Sequence, residues 1–192
     1  VLQSAKADAV AVVIALTWSR TRARLAEATE TVRRLALFDQ LTGLPNRRQL
    51  IEHEHAVLKR TRAGGGVFGI VFVDVDDLKS VNDTLGHAAG DARIVAVANA
   101  IDAVCDASSM FAARISGDEF VMIVQPTTAS DLGAVAARVR VAVEATGAQC
   151  SVGTALWAQA DGATIDGVDS VIARADRMMY ADKRIRRPNR NE

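Results

Sequence analysis

The stretch Val67-Phe-Gly-Ile-Val-Phe-Val-Asp-Val75, continued by Asp76-Asp-Leu-Lys79, decides how this chain is read. Apart from Gly69 and Asp74, every residue from 67 to 75 is β-branched or aromatic, which predicts a strand covered on both faces. Asp74 interrupts the run at its far end. A carboxylate there is expensive to bury without a counter-charge, and a divalent cation would supply one. The competing role, capping the next helix, suits Asp76 or Asp77 better because both lie nearer the helix start.

Downstream, a helical pattern follows Asp77, pauses at Gly86-His-Ala-Ala-Gly90 and resumes to about Cys105. Met110–Ile115 and Phe120–Val124 read as two short strands joined by Ser116-Gly-Asp-Glu119, a hairpin. Asp131–Ala145 has helical periodicity, Gln149–Trp157 reads as a strand, and Val168–Arg184 as a last helix with basic residues near its end. Residues 161–169 form a polar connector. This order predicts an α+β domain whose mixed sheet is covered by helices.

Upstream, a helix running to about Arg62 is preceded by Asp39-Gln-Leu-Thr-Gly-Leu-Pro-Asn-Arg-Arg48, where Pro45 suits a helix start. Earlier still, Ala11, Ile14, Trp18, Thr21, Leu25, Ala28, Val32 and Leu35 alternate spacings of three and four, a coiled-coil seam favouring a parallel dimer helix. One amphipathic helix packed on its own domain is the alternative. The expected division is 1–38, a signalling helix, and 39–192, the compact domain.

Of 192 residues, 49% are hydrophobic and 24% charged, enough apolar material for a packed core. The 23 basic residues balance the 23 acidic ones and aromatics make up 4%, so a nucleic acid polymer is not an expected partner. Cys105 and Cys150 lie outside any zinc or disulfide spacing, and a reducing, cytoplasmic setting is expected. The apolar run Ala9–Trp18 is shorter than the roughly 20 residues of a bilayer-spanning helix. Because residue 1 is Val, an upstream sensory or membrane portion is expected, with tethering to the inner membrane through it.

Two further constellations flank the Asp74 strand. Asp118 and Glu119 sit side by side in a tight turn, where a cation shared with Asp74 would relieve their repulsion, and Gly117 would let a polyphosphate approach the backbone. An ordinary turn is the competing reading. Lys79, Asn82, Asp83, Gly86, His87, Gly90 and Asp91 follow the strand directly. A lysine neutralises phosphate, and an amide with a carboxylate matches the edge of guanine; a solvated helix is the alternative.

With these motifs assembled, the chain from Asp39 onward resembles the GGDEF family of diguanylate cyclases. The resemblance rests on residues 39–48, on Asp74-Val-Asp-Asp-Leu-Lys79, on Asn82-Asp-Thr-Leu-Gly-His-Ala-Ala-Gly-Asp91, on Arg114-Ile-Ser-Gly-Asp-Glu-Phe120 and on Ala175-Asp-Arg-Met-Met-Tyr-Ala-Asp-Lys183. It implies a fold like that of polymerase palms and class III nucleotide cyclases, with a mixed, mostly antiparallel five-stranded sheet. It also implies GTP as substrate, two Mg²⁺ or Mn²⁺ ions per half-site, and a homodimer through the N-terminal helix that joins two GTP into cyclic di-GMP and two pyrophosphates. Carried over by position, Asp74 and Asp118 hold metal with the help of the Val75 carbonyl, Asp118 also deprotonates the ribose 3′-hydroxyl, and Glu119 aids the second metal. Asn82 and Asp91 recognise guanine, while Lys79, Lys183 and Arg187 face the phosphates.

The chain departs from the family pattern in places. Ser116 stands where the signature has Gly. Ala107 and Met110 replace the Arg and Asp of the product-inhibition site, so feedback there is expected to be lost. Arg186 replaces a common Gly and Pro188 follows Arg187, which bears on the phosphate role of Arg187. A catalytically degenerate module that binds GTP or a partner is the competing function, and a mixed ATP and GTP dinucleotide synthase a further one. Asp91 speaks against adenine, because its carboxylate suits guanine's N1 and N2 donors. His53 and His55, two apart on a helix, point to different faces. The Gly64–Gly66 run lacks the Lys-Ser/Thr of a phosphate loop and reads as a connector. His87 reads as a turn residue.

Overall fold

The computed structural model describes residues 2–64, 66–105, 109–125, 128–158 and 168–186. Along the chain these form α1 (Leu2–Leu37), α2 (Arg47–Gly64), β1 (Val67–Val75), α3 (Leu78–Leu85), α4 (His87–Val104), β2 (Met110–Ser116), β3 (Glu119–Val124), α5 (Ala129–Glu144), β4 (Cys150–Ala158) and α6 (Val168–Arg186). Contacts cluster into two units, Val1–Leu37 and Phe38–Glu192.

The first unit is α1. Its seam residues Trp18, Leu25, Val32 and Leu35 are all more than half exposed. Thr21, Thr29 and Thr31 turn their hydroxyls back onto carbonyls four residues earlier. The side chains of Ala11 and Ile14 lie outside the described residues. No described helix is long and apolar enough to cross a membrane.

In the second unit, β1 is the spine of a sheet ordered β2-β3-β1-β4, with every pairing antiparallel. Alternation along β1 divides the core. Val71, Val73 and Val75 face one cluster with Ile94, Val97 and Ile101 of α4 and Val135 and Val139 of α5. Phe68, Ile70 and Phe72 face a second with Leu50 and Val57 of α2 and Val171, Ala175 and Met179 of α6. The buried, two-sided strand expected from residues 67–75 is therefore present.

The sheet has four strands among the described residues, not the five implied by the resemblance, and it is antiparallel rather than mixed. Beyond β2, pairing stops at a single parallel bridge, Asn46 to Arg114, in which the Arg114 N–H donates to the Pro45 carbonyl at 2.9 Å. Pro45 has no N–H to extend a ladder. Asn46 already accepts through Oδ1 from the Arg48 and Gln49 N–H groups, capping α2. The chain becomes helix where a fifth strand would begin.

Two local readings also shift. The pause between α3 and α4 is one residue, Gly86 at φ 85°, and His87 opens α4 rather than lying in a turn. Asp77 occupies the first cap position of α3 with φ 60°, yet its side chain makes no cap hydrogen bond.

Candidate functional site

The end of β1 gathers most of the expected residues. Asp74 stands opposite Glu119 of β3 on one side and Ser151 of β4 on the other. The Val75 N–H donates to the Asp118 carbonyl at 2.9 Å, so the hairpin tip is tied to the strand terminus. From α6, Lys183 Nζ donates to Asp74 Oδ1 at 2.6 Å. Asp74, Val75, Asp118, Glu119 and Lys183 therefore meet at one sheet end. Burial pushes the Asp74 carboxyl above its ordinary value; Lys183 opposes that rise, and the Asp118 and Asp76 carboxylates add to it. Burial alone would lower Lys183, but its bond to Asp74 and the charges of Asp74, Asp76 and Asp118 hold it above its usual value.

The tip is braced by contacts that local sequence does not reveal. Arg114 donates through Nε and Nη2 to the Gly117 carbonyl, at 3.2 and 2.8 Å, and through Nη1 to Asp39 Oδ1 at 2.8 Å. Asp39 also accepts from the Thr42 N–H and hydroxyl. Burial would raise its carboxyl, but Arg114 and Thr42 hold it below the ordinary range. The first motif of the resemblance thus acts on the tip from 75 residues away. Ser116, where the signature has Gly, donates its hydroxyl to Glu119 Oε2, so the departure adds a restraint on a site carboxylate.

The other expected residues lie on the helical pair after β1. Lys79 is exposed near the start of α3. Asn82 packs on Gly90, where an added Cβ would fall 1.8 Å from Asn82 Oδ1. Gly90 immediately precedes Asp91, which is exposed. Arg187 and Ala107 lie outside the described residues; Met110 opens β2, half-buried.

Three features were missed by reading along the chain. Asp76 is buried and accepts from the Ser151 hydroxyl at 3.1 Å, placing another acid beside Asp74. Asp182 accepts from Arg140 at 2.9 Å and from the Val152 N–H at 3.1 Å, locking α6 to β4 and α5 next to Lys183. Gly153 makes that seat possible, since a Cβ there would lie 2.0 Å from the Ala175 carbonyl oxygen and 2.2 Å from the Met179 nitrogen.

Among the described residues no three His, Cys, Asp or Glu side chains form a ready metal cage. That donor set still fits Mg²⁺ or Mn²⁺, because Mg²⁺ is commonly held by one or two carboxylates plus substrate phosphates. His53 stacks on Phe111 with ring centroids 4.0 Å apart, a packing role.

Comparison with known proteins agrees with this architecture. The family model described as "Diguanylate cyclase, GGDEF domain" matches residues 36–189. The bifunctional diguanylate cyclase/cyclic di-GMP phosphodiesterase MucR of Pseudomonas aeruginosa is 34% identical over 135 residues, covering 67% of this chain and 20% of that protein. The cyclic di-GMP phosphodiesterase PdeR of Escherichia coli is 35% identical over 167 residues, covering 81% of this chain and 24% of that protein. The chain thus spans about a fifth to a quarter of these curated relatives. Among solved structures, the coiled coil and GGDEF domain of DgcB from Caulobacter crescentus, in complex with c-di-GMP, matches with TM-score 0.77 and 32% identity over 86% of this chain and 90% of that one. The diguanylate cyclase SiaD of Pseudomonas aeruginosa, in complex with its activator SiaC, matches with TM-score 0.71 and 29% identity over 90% of this chain and 67% of that one. With the motifs, the sheet and the match from residue 36 to 189 in agreement, the chain belongs to the GGDEF family, the domain of diguanylate cyclases.

Proposed function

We propose that this domain condenses two GTP molecules into cyclic di-GMP with release of two pyrophosphates, acting as a dimer of half-sites. The observation that carries this reading is the meeting of Asp74 and the Asp118-bearing tip at one sheet end, with Lys183 against Asp74. Divalent metal ions, two per half-site and held by Asp74, Asp118, Glu119 and the Val75 carbonyl, would lower the nucleophile's pKa and stabilise charge on the leaving pyrophosphate. Asp118 takes the proton of the ribose 3′-hydroxyl. Asn82 and Asp91 hold the guanine edge, and Lys79, Lys183 and Arg187 neutralise phosphate. Arg114 and Ser116 keep the tip from moving during attack.

One half-site holds one nucleotide, so the second must come from another copy. The apolar seam Trp18, Leu25, Val32 and Leu35, exposed on α1, suits a parallel pairing that raises the local concentration of the second half-site. Incubating the 192-residue chain with GTP and Mg²⁺ or Mn²⁺ should yield cyclic di-GMP; nucleotide binding without product under both metals would instead favour a regulatory module. Offering ATP alongside GTP should leave the product unmixed. Removing residues 1–35 should cut specific activity at low protein concentration and restore it at high concentration. An activity independent of concentration in that truncation would remove the dimerisation role of α1.

Lys183 is the counter-charge of Asp74 and bonds its Oδ1, so a metal taking that oxygen would displace it. Charge-assisted hydrogen bonds are worth about 1.5–3 kcal/mol, so Lys183→Met should tighten Mn²⁺ binding without nucleotide by roughly tenfold or more. Titration followed by electron paramagnetic resonance of free Mn²⁺ reads this directly. Unchanged affinity would show that the Lys183 contact does not compete with metal.

A further inference from the structure

A cavity of about 260 Å³ opens between α2, the β2–β3 hairpin and the start of α6, on the side of the hairpin where Glu119 and Val121 face. Leu50, Val121 and Ile172 supply an apolar wall, and Glu54, Glu119 and Asp169 bring three carboxyl groups against one guanidinium, Arg47. Glu54 is the unusual member. It is 4% exposed, and its Oε1 is buried without a hydrogen-bond partner. Burial, then the like charge of Asp169, pushes its carboxyl up to about 7, with Arg47 opposing but making no bond to Oε1. A buried acceptor left in that condition is costly, and a hydrogen-bond donor in the cavity that turned the Glu54 carboxyl toward itself would relieve that cost.

We propose that this cavity is a second binding site, taking a small organic cation: a protonated amine on a compact apolar body. The excess of carboxyl groups selects positive charge over negative. No three of the described acids form a metal cage, so an ion with its own hydrogen-bond donors and its own apolar surface fits better than a bare cation. The volume lies just below the roughly 300–1,000 Å³ of drug-sized ligand clefts, which admits a small amine and excludes a nucleotide. Ser116 and Glu119 form part of the wall, so an occupant lies directly behind the hairpin tip. Glu119 and Ser116 are shared with the hairpin tip, whereas Glu54, Asp169 and Arg47, which set the charge of the cavity, belong to it alone and do not depend on the cyclase reading.

The test is a titration of the ¹⁵N-labelled full chain with benzylamine, and with benzyl alcohol as its neutral counterpart, followed by amide chemical shifts. Saturable shifts should centre on the residues lining the cavity, with benzyl alcohol binding at least tenfold more weakly. Glu54→Gln should weaken benzylamine about tenfold or more, the scale of a lost charge-assisted bond. Asp169→Asn, at an exposed position where folding is not at stake, should weaken it severalfold and keeps the test open if Glu54→Gln misfolds. Equal binding of the alcohol, retained affinity in both variants, shifts centred elsewhere, or no saturable shift at all would each overturn the proposal.

Discussion

Asp118→Asn should lower the rate of cyclic di-GMP formation by roughly 10²–10⁴-fold, the usual contribution of a positioned general base. Asparagine keeps the shape of the side chain and removes both its charge and its basicity. The backbone role of residue 118 survives, because the Val75 N–H bonds to its carbonyl and not to its carboxylate. The sequence suggests an exposed turn at Asp118, but the residue is half-buried because the hairpin tip leans on the strand end. The fold should therefore survive with a stability change of no more than about 1 kcal/mol, because removing a charge that repels Asp74 offsets losing one that steadies Lys183. Product formation from GTP measured beside a urea melt separates the two effects. Turnover close to wild type in a folded variant would contradict the assignment of Asp118.

Gly153→Val should destabilise the domain by about 3 kcal/mol or more, the upper end of overpacking penalties, because the clash is with backbone and not with a yielding side chain. A Cβ at 153 would lie 2.0 Å from the Ala175 carbonyl oxygen and 2.8 Å from the Met179 Cα. Helix α6 must then move off β4, stretching the bond from the Val152 N–H to Asp182 and withdrawing Lys183 from Asp74. Gly133→Ala is the matched control. An added Cβ there meets nothing, and in the exposed face of α5 it should stabilise by roughly 0.5–1 kcal/mol. Equal urea midpoints for the two variants would show that α6 seats on β4 more loosely than the backbone contact requires.

Much of the site was legible because its signals are local. A run of β-branched and aromatic residues is a strand wherever it stands, and an acid at its end needs a counter-charge whatever the fold. The turn from Ser116 to Glu119 announced itself by small and acidic residues between two apolar runs. Asp76 was misjudged for a physical reason: its position suggests a cap, but the chain passes through left-handed Asp77 before α3 begins, which sends Asp76 inward to Ser151. Glu54 was passed over because a charged residue in a helix reads as solvated. Its place on the buried face with Leu50, Val57 and Leu58 is visible only once the packing partners of α2 are known.

By itself, then, the order of residues determined the elements, the family and the identity of the acidic and basic groups, since periodicity and motif spacing act over a few residues. What touches what was decided only in three dimensions. Lys183 reaches Asp74 across 109 positions, and Arg114 reaches Asp39 across 75. Those contacts exist because helix and sheet come within backbone distance at Gly153 and because Pro45 and Asn46 halt the sheet at one bridge. Such constraints arise from excluded volume between distant segments, which no local pattern carries.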